Sequence, residues 1–170
     1  MHPRYLVILF VLMELLVTGL IFYTAGTLPD VVASHFDGAG RPNGFMTRTF
    51  YIGFMLVFAL GIPAVVSGSM ALVSRFPDDK ISLPNKHIWL AEPHRAATFA
   101  WLRGHALGMG ILLTGFMGYV HWLVVLANRT TPAQLSNTGI ITGLVVFAIA
   151  LLLWGIMLPL KFRRLPKGTH

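Results

Sequence analysis

Four apolar stretches, each long enough to cross a bilayer as a helix, decide what this chain can fold into. They cover residues 5–26, 49–74, about 104–127 and about 138–160. A helix needs about 20 apolar residues to span the hydrocarbon core. Backbone groups in lipid must be satisfied within their own segment, so long unalternating runs of this kind are helices. Charge agrees: 11% of the 170 residues are charged and the mean hydropathy is +0.71, where a soluble domain carries about a quarter charged residues. The expected fold class is therefore an all-α integral membrane protein, a four-transmembrane-helix bundle forming one domain over residues 1–170. Tyr5, Tyr23, Tyr51, Trp101, Trp122 and Trp154 fall near the ends of the runs, where interfacial anchors belong. The first run reads as a retained span. It is too long for a signal peptide, contains Glu14, and lacks an A-x-A cleavage site.

Lysine and arginine set the expected orientation. Arg4, the group Arg75, Lys80, Lys86, Arg95 and Arg103, and the group Lys161, Arg163, Arg164 and Lys167 make ten on one side. Arg41, Arg48 and Arg129 make three on the other. The bias places both termini and residues 76–103 in the cytoplasm and residues 27–48 outside. The net charge of +7 is spread over these flanks without one long basic face, so nucleic acid is not an expected partner. The absence of cysteine removes disulfides, thiolate metal sites and cysteine nucleophiles.

The first connection, "TLPDVVASHFDGAGRPNGFMTRTF", is dense in turn chemistry. Pro29 and Asp30 stop the first helix; "DGAG" and "RPNG" supply glycines for positive φ, and Asp37 and Asn43 suit Asx-turns. "VVASHF" suits a short strand or extended segment. An ordered outer loop is expected.

The order L-P-D-x-x-x-x-H-F-D-x-x-G-x-P-N-G, running through Pro29, Asp30, His35, Asp37, Gly40, Pro42 and Gly44, resembles the DUF1648 membrane domain found at the N-terminus of bacterial SdpI-like immunity proteins. A second segment, "ISLPNKHIWLAEPHRAATFAWL", is similar to a second loop of those proteins through Pro84, Asn85, Trp89, Glu92 and Arg95. Asp37 stands where the family more often has asparagine, and "AEPHR" departs from its usual Pro-Glu-Arg-Arg order. SdpI-like proteins carry a membrane segment beyond these four, so their immunity role is not carried over. The resemblance implies a bacterial inner-membrane protein.

Glu14 is the strongest single polar signal. A carboxyl near the bilayer centre costs about 2.5–3.5 kcal/mol to insert, so it faces protein or a polar cavity. It lies about nine residues, ~14 Å, from the inner end of its helix, level with Ser67, Thr114 and the carbonyl of Ala59 that Pro63 frees. Three readings are open: a protonated carboxyl joining helices, a proton or ion site, and a contact to a partner subunit. His35, Asp37 and Asp30, and separately His87, Glu92 and His94, lack metal-ligand spacing; backbone capping explains the first set. His105 and His121 lie sixteen residues apart on one helix, about 160° around it, which speaks against two haems on one face; His105 is expected to bind a carbonyl or headgroup. Gly104, Gly108 and Gly115 are candidate helix-packing positions. Trp89 is expected in the headgroups, in a segment folded back under the bundle.

No catalytic, cofactor or metal residues are assigned. The expected function is a small non-enzymatic membrane protein acting through protein, peptide or lipid contacts at the outer loop. The alternatives are an accessory subunit of a larger membrane complex and a proton- or ion-handling protein, oligomeric or partnered, built on Glu14.

Overall fold

Two of the long apolar helices start at side chains that cap them. Thr47 Oγ1 accepts from Phe50 N at 3.4 Å, and Ser136 Oγ accepts from Gly139 N at 3.0 Å, each satisfying an amide that the helix leaves unpaired. The structure, a computed structural model, describes residues 3–164; Lys167 of the basic C-terminal group lies outside them. The first long helix is α1 (Pro3–Ala25). A second runs from α2 (Arg48–Leu56) through one π turn (Val57–Gly61) into α3 (Ile62–Ala71) and a closing 3₁₀ turn (Leu72–Arg75). After a short 3₁₀ turn (Asp78–Lys80) and α4 (Lys86–Trp89) come α5 (Arg95–Ala127) and α6 (Asn137–Arg163). Four of these helices are long and apolar enough to cross a membrane. The chain is thus built as a multi-pass membrane protein.

The π turn has a local cause. Pro63 has no N–H and its ring crowds the carbonyl four residues back, at Ala59. Widening the helix over Val57–Gly61, just before the proline, relieves that crowding without ending the helix.

Between α1 and α2 the chain forms an antiparallel hairpin of β1 (Val31–Phe36) and β2 (Pro42–Thr47), paired Val31 to Thr47 and His35 to Gly44, with irregularities at Ser34 and between His35 and Phe36. The first strand is the anticipated "VVASHF"; the second contains the "PNG" read as turn. The turn itself lies between Asp37 and Arg41. Asp37 Oδ1 accepts from Ala39 N at 2.9 Å and Arg41 N at 2.8 Å. Gly40 takes φ +78°, and a Cβ there would also strike the carbonyl oxygen of Leu135.

Helix α5 lies at the centre, with α1, α3 and α6 each packed against it. Lipid supplies no hydrophobic drive between helices, so close approach depends on small residues. The tightest approaches are at Gly110, where a Cβ would overlap Ser67 and Phe10, and at Gly143 of α6, where one would overlap the Tyr119 ring; one on Gly118 would lie 2.8 Å from Val17. Gly104, Gly108 and Gly115 leave more room and face different neighbours, Leu6, Trp154 and Met13. The G-x-x-x-G at 104–108 therefore serves two helices, because α5 is surrounded and successive positions on it meet different partners.

Apolar residues gather at both ends. Ile21, Leu28, Val32, Tyr51, Met55 and Val125 form a core under the hairpin. Ile81, Leu90, Phe99, Leu102 and Phe162 form another at the opposite end.

Candidate functional site

Beneath the hairpin, His121 is fully buried and joins three helices. Thr24 Oγ1 lies 2.8 Å from its Nε2, and Tyr51 Oη 3.0 Å from its Nδ1. Thr24 spends its one hydroxyl hydrogen on the Leu20 carbonyl at 2.8 Å, so it accepts from Nε2–H. Nδ1 then accepts from the Tyr51 hydroxyl. The neutral Nε2–H tautomer satisfies every group in this chain of bonds. Tyr51, expected at an interface, is instead only 2% exposed; its ring also stacks on His121.

Asn128, at the end of α5, holds the hairpin. Its Oδ1 accepts from Ala33 N at 2.9 Å and its Nδ2 donates to Ala33 O at 2.9 Å. The side-chain amide thus pairs β1 as the peptide group of a third strand would, covering an edge that would otherwise be open. The turn is held from the α5–α6 connection. Leu135 N donates to Gly40 O at 3.0 Å, Gln134 Nε2 to Ala39 O at 2.9 Å, and Asn137 Nδ2 to Gly38 O at 3.2 Å. Asp30 pairs with Arg48, whose Nη1 also donates to Leu28 O at 3.1 Å. Against this held backbone, Val31 and Phe45 are each 60% exposed.

Midway along α1, Glu14 Oε1 lies 2.8 Å from Thr114 Oγ1, which is itself 2.9 Å from Gly110 O. One hydroxyl hydrogen cannot serve both contacts. Both are made together when the carboxyl carries a proton and donates to Thr114, which donates onward to Gly110. Ser67 lies against Gly110 but donates to Ala106 O at 3.3 Å. Ser67 and Thr114 thus meet around Gly110, while Glu14 bonds Thr114 and neither Ser67 nor the Ala59 carbonyl. Thr114 intercepts the carboxyl because it sits on the central helix that α1 packs against.

At the far end, the second resemblance segment grips the C-terminus of α6. Trp89 Nε1 donates to Phe162 O at 3.0 Å, and Asn85 Nδ2 to Phe162 O and Arg163 O at 3.1 and 3.2 Å. Orphan carbonyls at a helix end need such donors. Trp89 is therefore half-buried against protein, edge-on to Phe162. Arg95 Nη1 donates to Asp78 Oδ2 at 2.8 Å, and that hydrogen bond holds the Asp78 carboxyl below its ordinary pKa. Pro84 precedes Asn85, which adopts φ 53°; Glu92 is exposed. His105 is sandwiched between Trp101 and Trp154, at centroid distances of 4.7 and 4.1 Å. Trp154 Nε1 donates to the His105 carbonyl at 2.9 Å, so it is the backbone of His105, and not its ring, that finds a partner there.

Asp37 is occupied by its turn and Asp30 by Arg48, while His35 Nδ1 lies 3.1 Å from Ser34 Oγ. Among the described residues no three His, Asp or Glu side chains are grouped to hold a metal ion.

From mid-α1, through the hairpin, to the π turn, this geometry coincides with one recognisable unit. Residues 8–61 match DUF1648, a domain of unknown function. The DUF1648 domain thus contains Glu14, Thr24, the whole hairpin and Tyr51, while Thr114, His121 and Asn128, which complete their hydrogen bonds, lie on α5 beyond it. No curated protein and no solved structure matches the chain. Asn128 and His121 were poorly visible in sequence. The first belongs to no motif beyond the N-x-[ST] triplet Asn128-Arg129-Thr130, and the second is one of two histidines on a span.

Proposed function

We propose that this is a non-enzymatic inner-membrane protein of SdpI-like type. Its four spans form a bundle, its termini are cytoplasmic, and its outer hairpin binds a polypeptide. The carrying observation is the hairpin itself. Its turn and first strand are fixed to α5 and the α5–α6 connection at Ala33, Gly38, Ala39 and Gly40, yet it leaves Val31 and Phe45 uncovered. A preorganised surface with exposed apolar side chains loses little entropy on binding. The engaged states of Asp30, Asp37 and His121 support a binding role over catalysis.

A photo-reactive residue in place of Phe45, activated in intact cells, tests this reading. It should capture one discrete polypeptide, and V31S with H35A should abolish that adduct at unchanged membrane abundance. Adducts to lipid alone, or none, would overturn it.

A second reading is an accessory subunit in a larger complex or a homo-oligomer, for which α6 offers a face that either lipid or a partner helix would cover. That helix packs chiefly on α5 and leaves Val145, Ile149, Leu152 and Ile156 exposed. Co-purification at fixed stoichiometry from native membranes in mild detergent would select it. The proton- or ion-handling reading has less support, because Glu14 is already bonded to Thr114.

A further inference from the structure

At the end remote from the hairpin, two cavities adjoin. One, of about 310 Å³, opens between α3, α5 and α6 and is walled by Met70, Val73, Leu102 and Leu158. The other, of about 400 Å³, is polar and lined by Asp79, Asn85, Lys86 and His87. Lys80, Ile81, Ser82 and Leu83 line both, so the two spaces meet across one short segment.

The cavities differ in chemistry as the two parts of an amphiphile do. The apolar space lies beside membrane-length helices, against Leu102 of α5 and Leu158 of α6. The polar space lies just past the 3₁₀ turn that ends in Arg75, where the chain leaves its second long apolar helix. Two ammonium groups border it. Among the described residues Lys80 Nζ is held only by Asp79, at 3.8 Å, with its side chain 72% exposed; a pair so exposed is worth little. Lys86 Nζ reaches two backbone carbonyls at 3.3 and 3.4 Å, near the outer limit of a hydrogen bond. Both can be exchanged for a stronger anionic acceptor. Asp79 is the one opposing charge on the lining, since Asp78 is paired with Arg95. The balance is positive before His87 is counted.

We propose that this bipartite cavity binds an anionic phospholipid of the surrounding leaflet. One acyl chain lies among Met70, Val73, Leu102 and Leu158, and the phosphate is held by Lys80, Lys86 and the Ser82 hydroxyl. Charge complementarity selects the headgroup, and the adjoining apolar space selects a lipid over a free phosphate. This inference does not depend on the hairpin's partner.

Native mass spectrometry of the full chain from mild detergent, with phosphatidylglycerol or phosphatidylcholine of identical chains added, provides the test. Phosphatidylglycerol should be retained at least tenfold better. K80Q with K86Q should remove that preference, and L158W, which fills the apolar space, should lower retention of both lipids. Glycerol phosphate should not compete. Equal retention of the two lipids by the native chain, or an undiminished preference in K80Q/K86Q, would overturn the proposal. Competition by glycerol phosphate would reassign the polar space to a soluble anion. Should L158W fail to fold, the lysine pair, whose side chains are at the surface, decides the outcome.

Discussion

Single hydrogens settle much of what the buried polar residues do. The Thr24–His121–Tyr51 chain has one arrangement that satisfies every donor and acceptor, and it needs a neutral imidazole. H121F should leave the Tyr51 hydroxyl without its acceptor in a buried site. A loss of about 2 kcal/mol is expected, read as a lowered unfolding midpoint in micelles; adding Y51F to H121F should recover part of it, because the double variant removes the unpaired hydroxyl itself. Glu14 follows the same logic. If its proton is donated to Thr114, E14Q preserves a donor there and should change stability by less than about 0.5 kcal/mol. Neither form should then pass protons or cations in liposomes. Flux in the native chain that E14Q abolishes would instead make Glu14 a transport site.

Among the elements, the hairpin owes its position to side chains distant in sequence. Asn128 pairs with Ala33 across 95 residues and stands in for a strand. N128A removes both bonds, and exchange at the Ala33 amide should quicken about tenfold, the effect of roughly 1.4 kcal/mol, with little change in the long helices. The loop that grips α6 carries a pH dependence of definite sign. Asp78 is held below its ordinary pKa by the hydrogen bond from Arg95. Its contribution is therefore present above the ordinary carboxylate range and is lost as pH falls through the lowered value. Amides of residues 79–81 should exchange faster in D78N than in the native chain at pH 7. Corrected for intrinsic rates, the two should converge once the medium is acid enough to protonate Asp78.

The membrane helices were legible in the sequence because apolar length is a local property with one physical outcome in lipid. β1 was legible for the same reason, in its run of β-branched and apolar residues. β2 was not: Pro42, Asn43 and Gly44 disfavour strands by propensity, and pairing with an already anchored β1 overrides them. The Ser67, Thr114 and Glu14 depths could be matched along the helix axes, but which atoms bond depends on rotation about those axes. Only the packing on α5 assigns Thr114 to Glu14.

In the whole molecule, the proposed topology puts the hairpin and the loop before α5 on opposite sides of one membrane. The chain contains no cysteine, so single-cysteine variants need no prior substitutions. A39C, on the exposed hairpin turn, and A91C, on the exposed loop at the other end, should be treated in intact cells with a membrane-impermeant maleimide. A39C should be labelled at once and A91C only after the membrane is permeabilised. Labelling of A91C in intact cells, with A39C protected, would contradict that topology.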